Sequence, residues 1–108
     1  MSAQSISVIK LSGELEIGRR AEIRAALHVG GGEKAFLIDF SEVTYADSTA
    51  VAELVRFHAE AAAAGVPVAV VIGNRQFARL LQYAGLGDAF AIFDSRAAAL
   101  TFLSGKTA

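Results

Sequence analysis

The run Ala-Phe-Leu-Ile-Asp-Phe at residues 35–40 is the clearest strand signal in this chain. Five of its six side chains are apolar, and a short apolar run of this kind is typical of a strand covered on both faces of a parallel sheet. A connection at residues 41–47 separates it from a helical pattern at residues 49–64. A buried strand followed by a helix is the repeating unit of α/β proteins.

The segment at residues 49–64 is the strongest predicted helix of the chain, because apolar and charged side chains recur in it at helical spacing. Gly65 follows directly and Pro67 comes two residues later, and both residue types are common just past the end of a helix. The spacing predicts that one face packs on the sheet and that the opposite face is charged. The predicted inward residues are Val51, Leu54, Val55, His58 and Ala62, and the predicted outward ones are Glu53, Arg56 and Glu60.

Strand and helix patterns alternate on both sides of this unit. Residues 5–11 predict a half-buried strand, and residues 16–28 predict a charged surface helix that ends at the glycines of residues 30–32. Residues 68–72 predict a second buried strand, and Asn74 is the expected N-cap of the helix after it. Gly85 is expected to close that helix, and Phe90 and Ile92 alternate in a predicted short last strand. Asp94 or Ser95 is the expected N-cap of the last helix, whose predicted inward residues are Leu100 and Leu103.

The order βαβαβαβα predicts an α/β fold, with a small, mostly parallel sheet of four to five strands and about four helices. The length of 108 residues leaves room for one core. We therefore expect a single domain over residues 1–108, with a flexible tail at residues 105–108.

Charge and cysteine content exclude several function classes. Ten Lys and Arg against eleven Asp and Glu give a net charge of -1, which disfavours a nucleic-acid partner because such binding needs a basic patch. The chain has no Cys, so it cannot form a disulfide or a thiolate metal site. It has no apolar segment of the ~20 residues that a membrane-spanning helix needs. We expect a cytoplasmic protein without direct membrane insertion.

Motifs for catalysis or cofactor binding are weak. Gly-Lys-Thr at residues 105–107 resembles the end of a phosphate-binding loop, but Leu100 stands where the first glycine would be. A serine triad at Ser48 would need a nearby histidine, and His58 lies ~15 Å further along the same helix. His28 and His58 form no metal cluster by spacing. We therefore expect no enzyme activity, no cofactor and no metal.

The junction Thr-Tyr-Ala-Asp-Ser-Thr-Ala at residues 44–50 is the strongest candidate site. It joins the buried strand to the strongest helix, and open α/β sheets usually present their ligand-contacting groups at such points. Spacing alone favours simple capping of the helix by Asp47, Ser48 or Thr49 over a special role.

The sequence around this junction resembles the STAS domain, the fold of bacterial anti-sigma factor antagonists. The signature lies at residues 36–43, Phe-Leu-Ile-Asp-Phe-Ser-Glu-Val, and residues 45–52, Tyr-Ala-Asp-Ser-Thr-Ala-Val-Ala. Shorter matching segments lie at residues 11–15, 65–68 and 81–86, which read Leu-Ser-Gly-Glu-Leu, Gly-Val-Pro-Val and Leu-Gln-Tyr-Ala-Gly-Leu. The resemblance thus extends along nearly the whole chain.

This resemblance implies a regulator whose partner is an anti-sigma factor that is also a serine kinase. In the family that kinase phosphorylates the serine after the motif's Asp, which here is Ser48. The family commonly reads Asp-Ser-Ser-Gly-Leu-Gly, whereas residues 47–52 read Asp-Ser-Thr-Ala-Val-Ala and differ at four positions. Glu16 also stands where the family often has Asp. These differences concern the kinase relationship more than the fold.

A second function stays open on the same fold, because some STAS domains resemble soluble accessory subunits of membrane lipid transporters. In that case the helix after residue 47 docks an ATPase, and Ser48 only caps the helix. The expected partner-binding residues are Asp47, Ser48, Thr49, Ala52, Arg56 and Glu16. The protein is expected to be a monomer or a weak homodimer, since an uncovered sheet edge can pair with a second copy.

Overall fold

The computed structural model describes residues 6–107. They form a four-stranded parallel sheet with helices packed against it. The strands are β1 (Ile6–Leu15), β2 (Ala35–Ala46), β3 (Val68–Val71) and β4 (Ala91–Phe93). The helices are α1 (Arg20–Ala26), α2 (Ser48–Ala63), α3 (Arg75–Tyr83) and α4 (Arg96–Thr107), and a 3-10 turn at Ile17–Arg19 precedes α1. The predicted α/β fold class is confirmed.

The order of the strands decides where the helices lie. Neighbouring strands pair in parallel in the order β1-β2-β3-β4, which is the chain order. Parallel crossovers are right-handed as a rule, so adding strands in chain order places the three connecting helices on one face of the sheet. Helices α1, α2 and α3 pack on that face, and α4 packs on the other.

The side chains of β2 alternate between the two faces and fill both halves of the core. Phe36 and Phe40 point toward the three-helix face. Phe36 meets Phe57 of α2 with ring centroids 4.9 Å apart, and Phe40 meets Phe77 of α3 at 5.0 Å. Leu37 points the opposite way, into the smaller cluster beneath α4. This period-two alternation explains why the run at residues 35–40 is almost wholly apolar.

The strand β2 is longer than predicted, because the expected connection at residues 41–47 continues the strand as far as Ala46. Its partner β1 also extends past residue 11, and the two strands stay paired as far as Leu15 and Ala46. Register shifts between Lys10 and Ser12, and again between Gly13 and Glu14, accompany this extension. Gly13 adopts a φ of 75°, which a glycine accepts without strain.

The buried face of α2 is rotated relative to the predicted one. The buried residues are Ala50, Val51, Glu53, Leu54, Phe57 and Ala61. Val55, predicted to face inward, is 40% exposed, and Ala62 is exposed as well. His58 is half-buried, with its ring edge-on to Phe90 at 4.6 Å. The contact of Phe57 with Phe36 of the sheet sets this rotation.

The chain end also differs from the prediction. Residues 105–107 were expected to begin a flexible tail, but they form the last residues of α4. The ammonium of Lys106 lies 5.3 Å from the ring centroid of Phe102, one turn earlier, and this cation–π contact supports the last turn. Ala108, the end of the expected tail, lies outside the described residues.

Most of the predicted caps are confirmed. Asn74 accepts a hydrogen bond from the Phe77 amide at 2.8 Å, and Gly85 ends α3 with a φ of 76°. Of the two candidates for α4, Ser95 accepts from the Ala98 amide at 3.2 Å. None of the helices between residues 6 and 107 combines the length and apolar content needed to cross a membrane.

Truncating two valines of α2 tests the rotation of its buried face. Val51→Ala, at a residue only 9% exposed, is expected to cost about 2 kcal/mol of unfolding free energy, because it removes two buried methyl groups. Val55→Ala should change the same quantity by less than about 0.5 kcal/mol, since its side chain faces water. Urea denaturation of both variants checks this, and equal losses would contradict the rotation.

Candidate functional site

The candidate site lies where β2 ends and α2 begins, and Ser48 is the first residue of that helix. Ser48 is exposed. Asp47 is the N-cap residue, because its Oδ1 accepts a hydrogen bond from the Thr49 amide at 2.8 Å. Of the three capping candidates in the sequence, the structure therefore selects Asp47. The start of α2 does not depend on the Ser48 hydroxyl.

Asp47 also joins the start of α2 to the end of β1. Its amide donates to the Leu15 carbonyl at 3.0 Å, and its Oδ2 accepts from the Ile17 amide at 3.2 Å. Glu16 stands between these two partners, and its carboxylate accepts from the Gly18 amide at 2.6 Å. Asp47 and Glu16 thus each cap a turn at the same end of the sheet, and both are half-buried.

A side-chain amide of α3 fixes the last residue of β2. Gln76 accepts from the Ala46 amide at 3.0 Å and donates to the Ala46 carbonyl at 2.7 Å, as a neighbouring strand would. Ala46 is also paired with Leu15 of β1, so this residue is held from both sides. Asn74 adds a hydrogen bond to the Thr44 carbonyl at 3.0 Å. The backbone two residues before Ser48 is therefore firmly placed.

Glu53 of α2 is buried, although the sequence predicted it on the outward face. Its side chain is only 2% exposed, and its carboxylate accepts hydrogen bonds from three arginines. The shortest contacts are 2.8 Å from Arg24 and 2.9 Å from Arg56, and Arg20 contributes one at 3.3 Å. The hydrogen bond from Arg24 has the largest effect and, despite burial, the pKa of Glu53 falls to about 2.

Arg56 belongs to this buried cluster more than to the open surface. Besides Glu53, it donates to Glu60 and to the Leu27 carbonyl, both at 2.9 Å. Its side chain is 27% exposed. Arg56, which the sequence predicted to contact a partner, thus holds α1 against α2. Only part of its side chain is open to a partner.

The outward face of α2 carries small, uncharged side chains in line with Ser48. Three exposed residues lie four, seven and eleven positions after Ser48, namely Ala52, Val55 and Ala59. This spacing places them on one face of the helix with Ser48. Thr49 is half-buried. The structure therefore brings Asp47, Ser48 and Ala52 together at one surface. Thr49 and Glu16 adjoin it, and Arg56 lies on the side that faces α1.

The structure shows two site features that the sequence did not predict, Gln76 and the burial of Glu53. Gln76 pairs with a residue 30 positions away, so no local pattern indicates its role. Glu53 does stand three residues before Arg56, a spacing that allows an ion pair within one helix. That signal could have shown that Glu53 is paired, but not that α1 covers it. Within residues 6–107, no group of three His, Cys, Asp or Glu side chains is placed to hold a metal ion.

Substitutions at Asp47 and Ser48 distinguish the cap from its exposed neighbour. Asp47→Ala should lower the free energy of unfolding by about 1 to 2 kcal/mol, because it removes the cap and the bond to Ile17. Ser48→Ala should change it by less than about 0.5 kcal/mol. Thermal or urea denaturation measures both values, and a larger loss at Ser48 than at Asp47 would show that the cap is misassigned.

Acid should remove the contribution of Glu53 to stability. The pKa of Glu53 falls from 4.5 to about 2 on folding, so its contribution is complete above pH 4.5 and is lost as the pH falls toward 2. Since water screens the half-exposed arginines, we expect Glu53→Gln to cost about 2 kcal/mol at neutral pH. That cost should shrink steadily between pH 4.5 and 2. Glu60→Gln, which removes the exposed partner of Arg56, is the control and should have a small cost at neutral pH. A cost for Glu53→Gln that does not depend on pH would refute the assignment.

Comparisons with known proteins agree with the fold. The family model described as "Mlab, STAS domain" matches residues 2–94. A sulfate transporter family protein from Wolinella succinogenes has a similar solved structure, with 17% identity and a TM-score of 0.80 over 93% of this chain and 85% of that one. Among curated protein sequences, none matches this chain significantly.

Two anti-sigma factor antagonists also have similar solved structures. The protein from Mycobacterium paratuberculosis is 22% identical, with a TM-score of 0.83 over 93% of this chain and 86% of that one. SpoIIAA in its unphosphorylated form is 22% identical, with a TM-score of 0.73 over 93% of this chain and 89% of that one. At these identities the structural likeness shows the fold alone. Because the family model spans most of the sequence, this chain belongs to the STAS domain family.

Proposed function

We propose that this STAS domain is a non-enzymatic, cytoplasmic anti-sigma factor antagonist. In the unphosphorylated state it binds an anti-sigma factor that is also a serine kinase, and phosphorylation of Ser48 releases it. The observation that carries this proposal is the exposure of Ser48 at the start of α2, next to a cap that Asp47 supplies. The two antagonists of similar fold support the same assignment.

Phosphorylation of Ser48 should leave the fold intact. A phosphate adds a charge of about -1.5 to -2, and the N-terminal end of a helix stabilises negative charge. The cap and the bonds to Leu15 and Ile17 come from Asp47 and do not involve the Ser48 hydroxyl. The modification therefore changes the surface that a partner meets.

That change is large enough to break a complex. The small side chains of Ala52 and Ala59 allow a partner to approach α2 closely, in line with Ser48. A phosphate in such a contact would have to lose its hydration, at a cost of several kcal/mol per ion. A cost of about 3 kcal/mol corresponds to a more than hundredfold loss of affinity.

A role without catalysis fits the positions of the histidines. His58, ten residues after Ser48, packs against Phe90. His28 is exposed and lies beyond the end of α1. A serine nucleophile needs a base within hydrogen-bond reach. We therefore assign to Ser48 the role of phosphate acceptor, with the nucleotide bound by the kinase.

A second candidate is a soluble accessory subunit of a membrane lipid transporter. The match to the model named Mlab and the similar fold of a sulfate transporter family protein favour it. In this candidate the exposed face of α2 docks the transporter ATPase, and Ser48 stays unmodified. The two candidates share the docking surface and differ in the chemistry of one hydroxyl.

Incubation with the candidate anti-sigma factor kinase and ATP tests the first proposal. Mass spectrometry should find one phosphate, on Ser48, and none on the Ser48→Ala variant. Ser48→Asp should weaken binding to the kinase by about a hundredfold. The control Ser104→Asp changes an exposed serine of α4 and should leave binding unchanged.

Absence of phosphate on Ser48, together with unchanged binding of Ser48→Asp, would overturn the proposal. Co-purification with a transporter ATPase, unaffected by Ser48→Ala, would then establish the second candidate.

A further inference from the structure

The outward face of α3 carries charge that the rest of the described chain does not balance. Arg75 and Arg79 are one turn apart, and both are exposed. Within residues 6–107, every other arginine takes part in an ion pair with a carboxylate, whereas none of these ion pairs includes Arg75 or Arg79. Residues 73–87 contain no Asp or Glu. This face is therefore locally cationic on a chain whose net charge is -1.

The same face exposes an aromatic ring beside these charges. Tyr83 is 84% exposed, the largest value among the exposed large hydrophobic side chains of the described residues. It follows Arg79 by one turn, so the two arginines and the ring form one line along the helix. Gln76, Arg79, Leu80 and Tyr83 line an open groove of about 310 Å³. Leu80, which is half-buried, gives the groove an apolar floor.

We propose that this groove binds an acidic segment of a protein partner, with one apolar side chain of that segment seated on Leu80 and Tyr83. Charge complementarity identifies the occupant, since two unpaired guanidinium groups favour carboxylates. Tyr and Arg are also the residue types that most often dominate the energy of protein interfaces.

Other classes of ligand fit this groove less well. A small molecule is usually enclosed over most of its surface, and this groove is open. Nucleic acid requires a larger basic patch than two arginines. Recognition of anionic lipid typically uses clusters of about four to eight basic residues.

The groove belongs to a helix that packs on the same face of the sheet as α2. Gln76 lines the groove and also holds both backbone groups of Ala46, two residues before Ser48. A partner seated at Ser48 can therefore reach α3 without crossing the sheet. The inference goes beyond the proposed function, because it concerns α3, needs no phosphate and applies to either candidate partner.

Titration of the isotope-labelled full chain with a defined peptide tests this inference. The probe is an acetylated and amidated peptide that alternates Glu-Leu and Asp-Phe pairs, and the control peptide has Lys in place of every acid. The acidic peptide should shift the amide resonances of residues 75–83, and the Lys peptide should not. Raising the salt concentration to 0.5 M should weaken this binding several-fold.

Variants of the exposed groove residues locate the interaction. The double variant Arg75→Glu with Arg79→Glu should bind the acidic peptide at least tenfold more weakly than the unmodified chain. Tyr83→Ala should lower the affinity for the same peptide about tenfold. The control combines Lys34→Glu with Lys106→Glu. It makes the same change in net charge at two exposed residues outside the groove. It should leave the affinity within about twofold. Because the side chains of Arg75, Arg79 and Tyr83 are exposed, the melting temperatures of their variants should stay close to that of the unmodified chain. The control should lose a little stability at the last turn of α4, where Lys106 contacts Phe102.

Three results would overturn the inference. The first is the absence of peptide-induced shifts at residues 75–83. The second is an equal loss of affinity in the control variant, which would indicate a nonspecific effect of net charge. The third is binding to vesicles of phosphatidylglycerol and phosphatidylcholine that depends on Arg75 and Arg79 while the peptide does not bind, which would assign the face to a lipid surface.

Discussion

The hydrogen bonds of Ala46 and Asp47 fix the position of the proposed docking surface of this domain. Ala46 is paired with β1 on one side and with the Gln76 amide on the other. Asp47 then caps α2 and binds the turn after β1 with the two oxygens of one carboxylate. Because these groups fix the backbone on both sides of the junction, Ser48 is exposed and its hydroxyl has no part in the cap. A site of this kind can accept a modification while the scaffold stays unchanged.

The Glu53 cluster forms the second constraint, since it links α1 to α2. A buried carboxylate is costly unless it is well paired, and three arginines from two helices supply that pairing. The arrangement keeps the charged side of α2 against α1. As a result, the exposed side of α2 carries Ser48, Ala52, Val55 and Ala59, which are uncharged and, apart from Val55, small.

The sequence predicted the parallel sheet and the junction at residues 44–50, because the apolar run of β2 and the residue types of a helix start are local patterns. It did not predict the rotation of α2, since the contact of Phe57 with Phe36 and the arginines around Glu53 come from distant parts of the chain. Gln76 was missed for the same reason. The helical end of α4 was missed because Gly105 has a low helix propensity, which the contact between Lys106 and Phe102 helps to offset.

Ser48 lies outside the hydrogen bonds that cap α2 and join it to β1, and we propose that a phosphate there alters the surface alone. The most direct test of this proposal is a comparison of amide spectra and hydrogen exchange between the unmodified chain and a chain with phosphoserine installed at residue 48. We expect shifts confined to the start of α2 and the adjoining turn at Ile17–Arg19, with exchange protection in β2 and α2 retained. Loss of protection along α2, or shifts throughout the core, would contradict it.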